Sequence, residues 1–145
     1  MERSEATVRS VRDGTSLTFV RLERSGGFDG EQVYDVLLQG PEVSARTSST
    51  TYHSGSPALL FRALANSWRG WTGEKKWSTL EGEFALSATS DPLGHITVEV
   101  LMHADSFPRE WTLKALLHFE AGSLDSVWKT IASVLPIPEG VQFDG

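Results

Sequence analysis

Phe84-Ala85-Leu86-Ser87-Ala88, Ile96-Thr97-Val98-Glu99-Val100-Leu101-Met102 and Trp111-Thr112-Leu113-Lys114-Ala115-Leu116-Leu117-His118-Phe119 are the stretches that decide the fold. In each, an apolar residue returns at every second position. That period is the spacing of side chains along one face of a strand, so three half-buried antiparallel strands are predicted. Asp91-Pro92-Leu93-Gly94 turns the first pair and Ser106-Phe107-Pro108-Arg109 the second, both rich in turn formers.

Beyond these strands, toward the C terminus, the period changes. Ser123 is placed to cap a helix with Asp125 near its positive end, and Leu124, Val127, Trp128, Ile131 and Leu135 share one helical face. Pro136 ends that helix and Pro138-Glu139-Gly140 begins a short tail. On the N-terminal side, Ser56-Pro57 supplies a cap and a pre-set first helical residue, and Leu60, Phe61, Leu64 and Trp68 recur at helical spacing over about three turns. Gly70 is the expected stop, with Trp71 folding back on the last turn.

The first third reads as strands again. Leu17–Leu22 and Val33–Leu38 are rich in β-branched and aromatic residues, and the turn formers of Ser25-Gly26-Gly27-Phe28-Asp29-Gly30 separate them. Thr7–Arg12 runs into the turn dipeptide Asp13-Gly14, and Val43–Tyr52 alternates weakly among many Ser and Thr, as a strand at an edge or only lightly buried would. The expectation is an α+β fold: a mainly antiparallel β-sheet of about six to seven strands with two α-helices packed on one face. Nothing marks a linker, so residues 1–145 read as a single domain, folded over about 6–135 with a short tail at 136–145.

Composition bounds the function. The 145 residues carry 13 Lys plus Arg against 19 Asp plus Glu, a net charge of −6, and no cysteine. Without cysteine there is no thiol catalysis, disulfide or Cys-ligated zinc. The acidic balance argues against nucleic acid, whose binding draws on Lys and Arg, and favours basic partners. Apolar runs such as Ala58-Leu59-Leu60-Phe61 fall far short of the roughly 18 residues of a membrane span, and the polar start Met1-Glu2-Arg3-Ser4-Glu5 is unlike a secretory signal. A cytoplasmic protein is expected.

Three constellations invite a functional reading. Trp68-Arg69-Gly70-Trp71-Thr72-Gly73-Glu74-Lys75-Lys76-Trp77 holds three of the five tryptophans. Arg69, Trp71, Glu74 and Trp77 are the candidate binding residues, because Arg and Trp dominate recognition hot spots. The competing reading is that the indoles cover the end of the core and Arg69 pairs with Glu74. His95, Glu99 and His103 share one parity of a strand, where residues four apart lie about 13 Å from each other, so they do not chelate one metal. On the adjacent strand His118 can meet His95 and Lys114 can face Glu99, on a solvated sheet face. Glu81 and Glu83 likewise share a face on which solvation is the expected state, acid–base chemistry the alternative. No nucleophile elbow, phosphate loop or zinc motif occurs, so no catalytic residue, metal or cofactor is assigned and the chain is not expected to be an enzyme.

Phe28-Asp29-Gly30, then Trp68-Arg69-Gly70-Trp71-x-Gly73-Glu74-x-x-Trp77, Leu80-Glu81, Gly94-His95, Trp111 and Glu120-Ala121-Gly122 together resemble a family of small uncharacterised bacterial, largely actinobacterial, proteins, domain of unknown function 6228. The resemblance spans about residues 17–135 and departs where Pro92-Leu93-Gly94 stands in a turn that often has a glycine pair before the histidine. It supplies no catalytic or binding residues. The layout also looks like that of small immunity proteins that neutralise bacterial toxins: acidic, single-domain, α+β and without catalytic motifs. It implies a non-enzymatic protein-binding module whose acidic surface is steered toward a basic partner such as a toxin. The alternative is a small-molecule binding protein or enzyme with a pocket near the Trp-Arg-Gly-Trp segment.

Overall fold

In the computed structural model, which describes residues 4–25 and 31–143, eight strands form two four-stranded antiparallel sheets. The predicted turn at Gly26–Gly30, with its Phe28-Asp29-Gly30, lies outside the described residues. Strands β1 (Glu5–Arg9), β2 (Ser16–Ser25), β3 (Gln32–Gln39) and β4 (Ser44–Thr50) make the first sheet in that order. Helix α1 (Ala58–Asn66) leads to the second sheet, β5 (Lys75–Ser78), β6 (Phe84–Ser90), β7 (His95–His103) and β8 (Thr112–Glu120), again in chain order. A short 3₁₀ turn (Ala121–Ser123) and helix α2 (Leu124–Ala132) follow.

The α+β class and the antiparallel pairing stand as expected, but the strands divide between two sheets rather than forming one, and they number eight. Periodicity marks which residues face inward without saying which strands adjoin. Strand β5, four residues long, is too short to display a period. The inner faces meet where Phe19 of β2 packs edge-on to Phe84 of β6, with centroids 5.8 Å apart, and within the second sheet Trp77 of β5 packs on Phe84 at 5.6 Å. Helix α1 packs on α2, α1 also meets β5 and α2 meets β1, so the helix pair joins the two sheets at one end. Phe61 of α1 closes that end against Phe119 of β8 at 5.9 Å.

Local chemistry explains the boundaries. Ser56 Oγ accepts the Ala58 amide at 3.1 Å, but the residue at the N-cap of α1 is Pro57, which makes no side-chain cap bond. The helix proper ends at Asn66, one turn before Gly70, which takes φ +105°, the left-handed region open to glycine. Trp68 therefore falls beyond the helical stripe and stands 58% exposed. Ser123 does not cap α2: its hydroxyl donates back to the Glu120 carbonyl through the 3₁₀ turn. The segment after Pro136 lies on the core through Ile137 and Phe143, and Arg62 holds it by donating to the Val141 carbonyl. Among the described residues no helix is long and apolar enough to cross a membrane.

Candidate functional site

Each of the four candidate residues of the tryptophan segment has a partner of its own. Arg69 lies over the Trp68 ring at 4.9 Å, a cation–π contact. Trp71 is half-buried and its indole N–H donates to the Ala88 carbonyl at 3.2 Å. Glu74 accepts from the Ser87 hydroxyl at 2.6 Å and faces Lys76 at 3.5 Å, and these hold its carboxyl below the usual carboxylate range, the Ser87 bond foremost. Trp77 is buried and donates to the Ser54 carbonyl at 3.1 Å. Glu74 and Trp77 do share a groove of about 300 Å³ on the outer side of the second sheet, which Arg69 and Trp71 do not line. Arg69 does not pair with Glu74, whose partners are Ser87 and Lys76.

The histidines take the strand geometry the spacing predicted. His95 stands opposite Glu120 and His118 opposite Thr97, so His95 and His118 are diagonal rather than directly paired. His95 Nδ1 meets Asp91 at 2.9 Å, and Lys114 reaches Glu99 diagonally at 3.1 Å. Partial burial, with Arg12 nearby, pushes the His118 pKa down.

A different place holds the unusual electrostatics. Glu83, expected on a solvated face, is only 7% exposed. Its Oε1 accepts a hydrogen bond from the Ser49 hydroxyl of β4, and its Oε2 stands 3.9 Å from Arg109 Nη2, beyond hydrogen-bond reach. The Arg109 guanidinium is engaged elsewhere: it donates to the Ala104 carbonyl at 2.5 Å and the Glu81 carbonyl at 2.9 Å, and it lies 4.0 Å from the Phe107 ring. A carboxylate removed from water normally gathers several donors, and this one has a single hydroxyl and a distant cation. The reason alternation misplaces Glu83 is tertiary. Ser49 comes from the other sheet and Arg109 from the β7–β8 connection, and together they close over a residue that the strand alone would leave in solvent.

Behind this group lies Tyr34 of β3, wholly buried and directly opposite Ser49 in the strand register. Among the described residues, the buried side-chain oxygens without a partner are Tyr34 Oη and Thr47 Oγ1, on these neighbouring strands. Burial, opposed by the nearby Ser49 hydroxyl and reinforced by the Glu83 charge, pushes the Tyr34 pKa up, so its hydroxyl stays neutral.

In front of Glu83 is an open cleft of about 460 Å³. Ser48, Ser49 and Thr50 of β4 form one side, Leu80, Glu81 and Glu83 from the β5–β6 turn and Asp105 and Phe107 from the β7–β8 connection the other. Its rim carries exposed apolar side chains, with Phe107 70%, Leu80 50% and Tyr52 38% accessible, beside the exposed Glu81 and Asp105. Three carboxylates beside three exposed apolar side chains suit a basic, partly apolar ligand surface more than a small neutral molecule. The only sequence signal that pointed here was the Glu81/Glu83 pair.

The model of a family described as a family of unknown function (DUF6228) matches residues 9–138. No curated protein and no solved structure matches the chain.

Proposed function

The chain belongs to the DUF6228 family, whose function is unknown, and from its own geometry we propose that it is a non-enzymatic protein-binding module of the toxin-neutralising (immunity) type. The observation that carries the reading is the acidic cleft: Glu81, Glu83 and Asp105 stand together beside exposed Tyr52, Leu80 and Phe107. Interfaces place aromatic anchors at their centre and use charge to choose and steer the partner. A net charge of −6 adds a long-range field toward a basic protein, such as the cationic active-site cleft of a nuclease toxin. In this reading the protein acts in the cytoplasm, with no role for nucleic acid or membrane, and it works by covering a surface.

The test is affinity capture from the native host, followed by co-expression with a toxin encoded beside it. A stoichiometric basic protein whose toxicity the chain relieves is the expected result. Reversing the charge of the rim with Glu81→Lys and Asp105→Lys should slow association at least tenfold and weaken its dependence on salt. Co-expression that neither rescues growth nor yields a complex removes the toxin-neutralising form. The groove shared by Glu74 and Trp77 favours a second reading, a small-molecule binding protein or enzyme, since Ala85, Leu86 and Leu101 give it an apolar lining beside charged Lys76, Glu99 and Lys114. Metabolites that raise the melting temperature of the native chain but not of a Trp77→Phe variant would select that reading.

A further inference from the structure

Strand β4 is the last strand of its sheet and pairs on one side only, with β3. The phase of that ladder is fixed at both ends. The Thr51 amide donates to the Gln32 carbonyl at 2.9 Å and the Gly40 amide to the Val43 carbonyl at 2.8 Å. In an antiparallel pair, hydrogen-bonded and non-bonded residue pairs alternate, so Ala45, Thr47 and Ser49 spend their backbone groups on β3. The N–H and C=O groups of Ser44, Arg46, Ser48 and Thr50 therefore point away from the sheet. Among the described residues, no backbone hydrogen bond joins Ser44–Thr50 to anything other than β3. Ser48 and Thr50, two of the four with outward groups, line the acidic cleft.

We propose that the free edge of β4 is a docking strand: an extended, basic segment of a partner protein adds to it as a fifth strand and sets a lysine or arginine side chain on Glu83 Oε2. The proposal rests on the protein-binding reading and specifies its mode. Outward donors and acceptors repeating every second residue are the complement of an extended backbone and of no other regular structure. The charge of the segment follows from the opposite wall, where Glu81, Glu83 and Asp105 line the cleft and the nearby Arg109 is engaged by two carbonyls. Glu83 gives the register. One of its oxygens is held by Ser49, itself on β4, and the other receives no hydrogen bond among the described residues. A cation delivered along β4 completes a carboxylate that the fold has buried with too few donors.

The experiment uses the full chain and an acetylated, amidated heptapeptide of alternating valine and arginine, with the glutamine-for-arginine peptide as control. The arginine peptide is expected to slow hydrogen exchange at the Ser48 and Thr50 amides and to bind at least tenfold more tightly than the glutamine peptide. Ser48→Pro removes an outward N–H that the ladder does not use. A proline is tolerated at such an edge position, so this variant should melt close to Ser48→Ala yet lose the peptide. Glu83→Gln should weaken the arginine peptide about tenfold and leave the glutamine peptide unchanged. An arginine peptide methylated on alternate backbone nitrogens makes the same test without altering the protein, and should not bind. Equal binding by Ser48→Pro and Ser48→Ala, unprotected Ser48 and Thr50 amides, or undiminished binding of the methylated peptide overturns strand docking. A host partner that binds Ser48→Pro as well as the native chain also overturns it while leaving the protein-binding reading standing.

Discussion

Trp77 and Glu83 stand six residues apart, are equally inaccessible at 7% exposure, and are buried on opposite terms. Trp77 brings a large apolar ring against Phe84, and its one polar group reaches the Ser54 carbonyl. Glu83 brings a charge, and receives one hydroxyl donor and a guanidinium at 3.9 Å. The tryptophan segment is dense in conspicuous residues, yet the half-buried and buried indoles Trp71 and Trp77 each have an acceptor and Glu74 has its donors. The cleft is built of ordinary residues around Glu83, whose Oε2 accepts no hydrogen bond among the described residues. What separates the packed corner from the proposed binding place is whether the buried polar groups are satisfied, not which residue types are concentrated.

The largest effect should come from the satisfied side. Trp77→Ala removes a buried ring that contacts Phe84 and lines the core, and such truncations cost about 3–5 kcal/mol. Urea denaturation is expected to show a loss in that range, while the fraction that remains folded keeps its partner affinity. A loss of affinity in folded Trp77→Ala would return the segment to the binding site.

On the unsatisfied side the sign should reverse. Tyr34→Phe deletes a wholly buried hydroxyl that has no partner among the described residues, and an unmet buried polar group costs about 1–3 kcal/mol. The variant should therefore be more stable than the native chain by about 1 kcal/mol. A destabilised Tyr34→Phe would mean that the hydroxyl is already satisfied, and the contrast between the two regions would lose one of its supports.

These two residues also show what was legible beforehand. Tyr34 is an apolar body in a strand the sequence displays, Trp77 reads as a cover for the end of the core, and the stripes Phe84 to Ala88, Ile96 to Met102 and Leu113 to Phe119 fall on the second sheet much as alternation requires. Trp111, counted with the last stripe, is exposed, because β8 begins only at Thr112. Elements and faces are local properties, carried within ten residues of chain. The division into two sheets and the burial of Glu83 are relations between segments far apart in the chain, whereas the edge position of β4 is already within the reading of Val43–Tyr52. Ser49 and Glu83 meet across 34 positions, and no spacing rule joins a serine in a Ser/Thr-rich strand to a glutamate beside a turn.

A smaller effect tests whether the indole bonds contribute as assigned. Trp71→Phe keeps an aromatic ring near Lys75 and removes the N–H bonded to the Ala88 carbonyl, so it should cost about 1 kcal/mol, the net value of one hydrogen bond. Thermal denaturation of the variant beside Trp71→Ala would separate the bond from the ring, with the alanine variant losing more. Equal losses would show that the bond is silent.

The smallest effect concerns a carboxylate as exposed as Glu83 is buried. Asp91 Oδ1 accepts the amides of Leu93 at 2.8 Å and His95 at 3.0 Å, and Oδ2 meets His95 Nδ1. The His95 amide, foremost among these, holds the Asp91 carboxyl below its ordinary value of 3.8. A carboxyl depressed in the folded state stabilises the fold above its unfolded pKa, and that contribution disappears as pH falls through the folded value. Asp91→Asn keeps an oxygen for the two amides but carries no charge. The melting temperature of the native chain should therefore exceed that of Asp91→Asn at pH 5 to 6, and the two should converge below pH 3.8. A gap that persists at pH 2.5 would assign the turn to the geometry of the side chain alone. It would also mean that this exposed carboxylate, with its donors in place, contributes nothing through its charge.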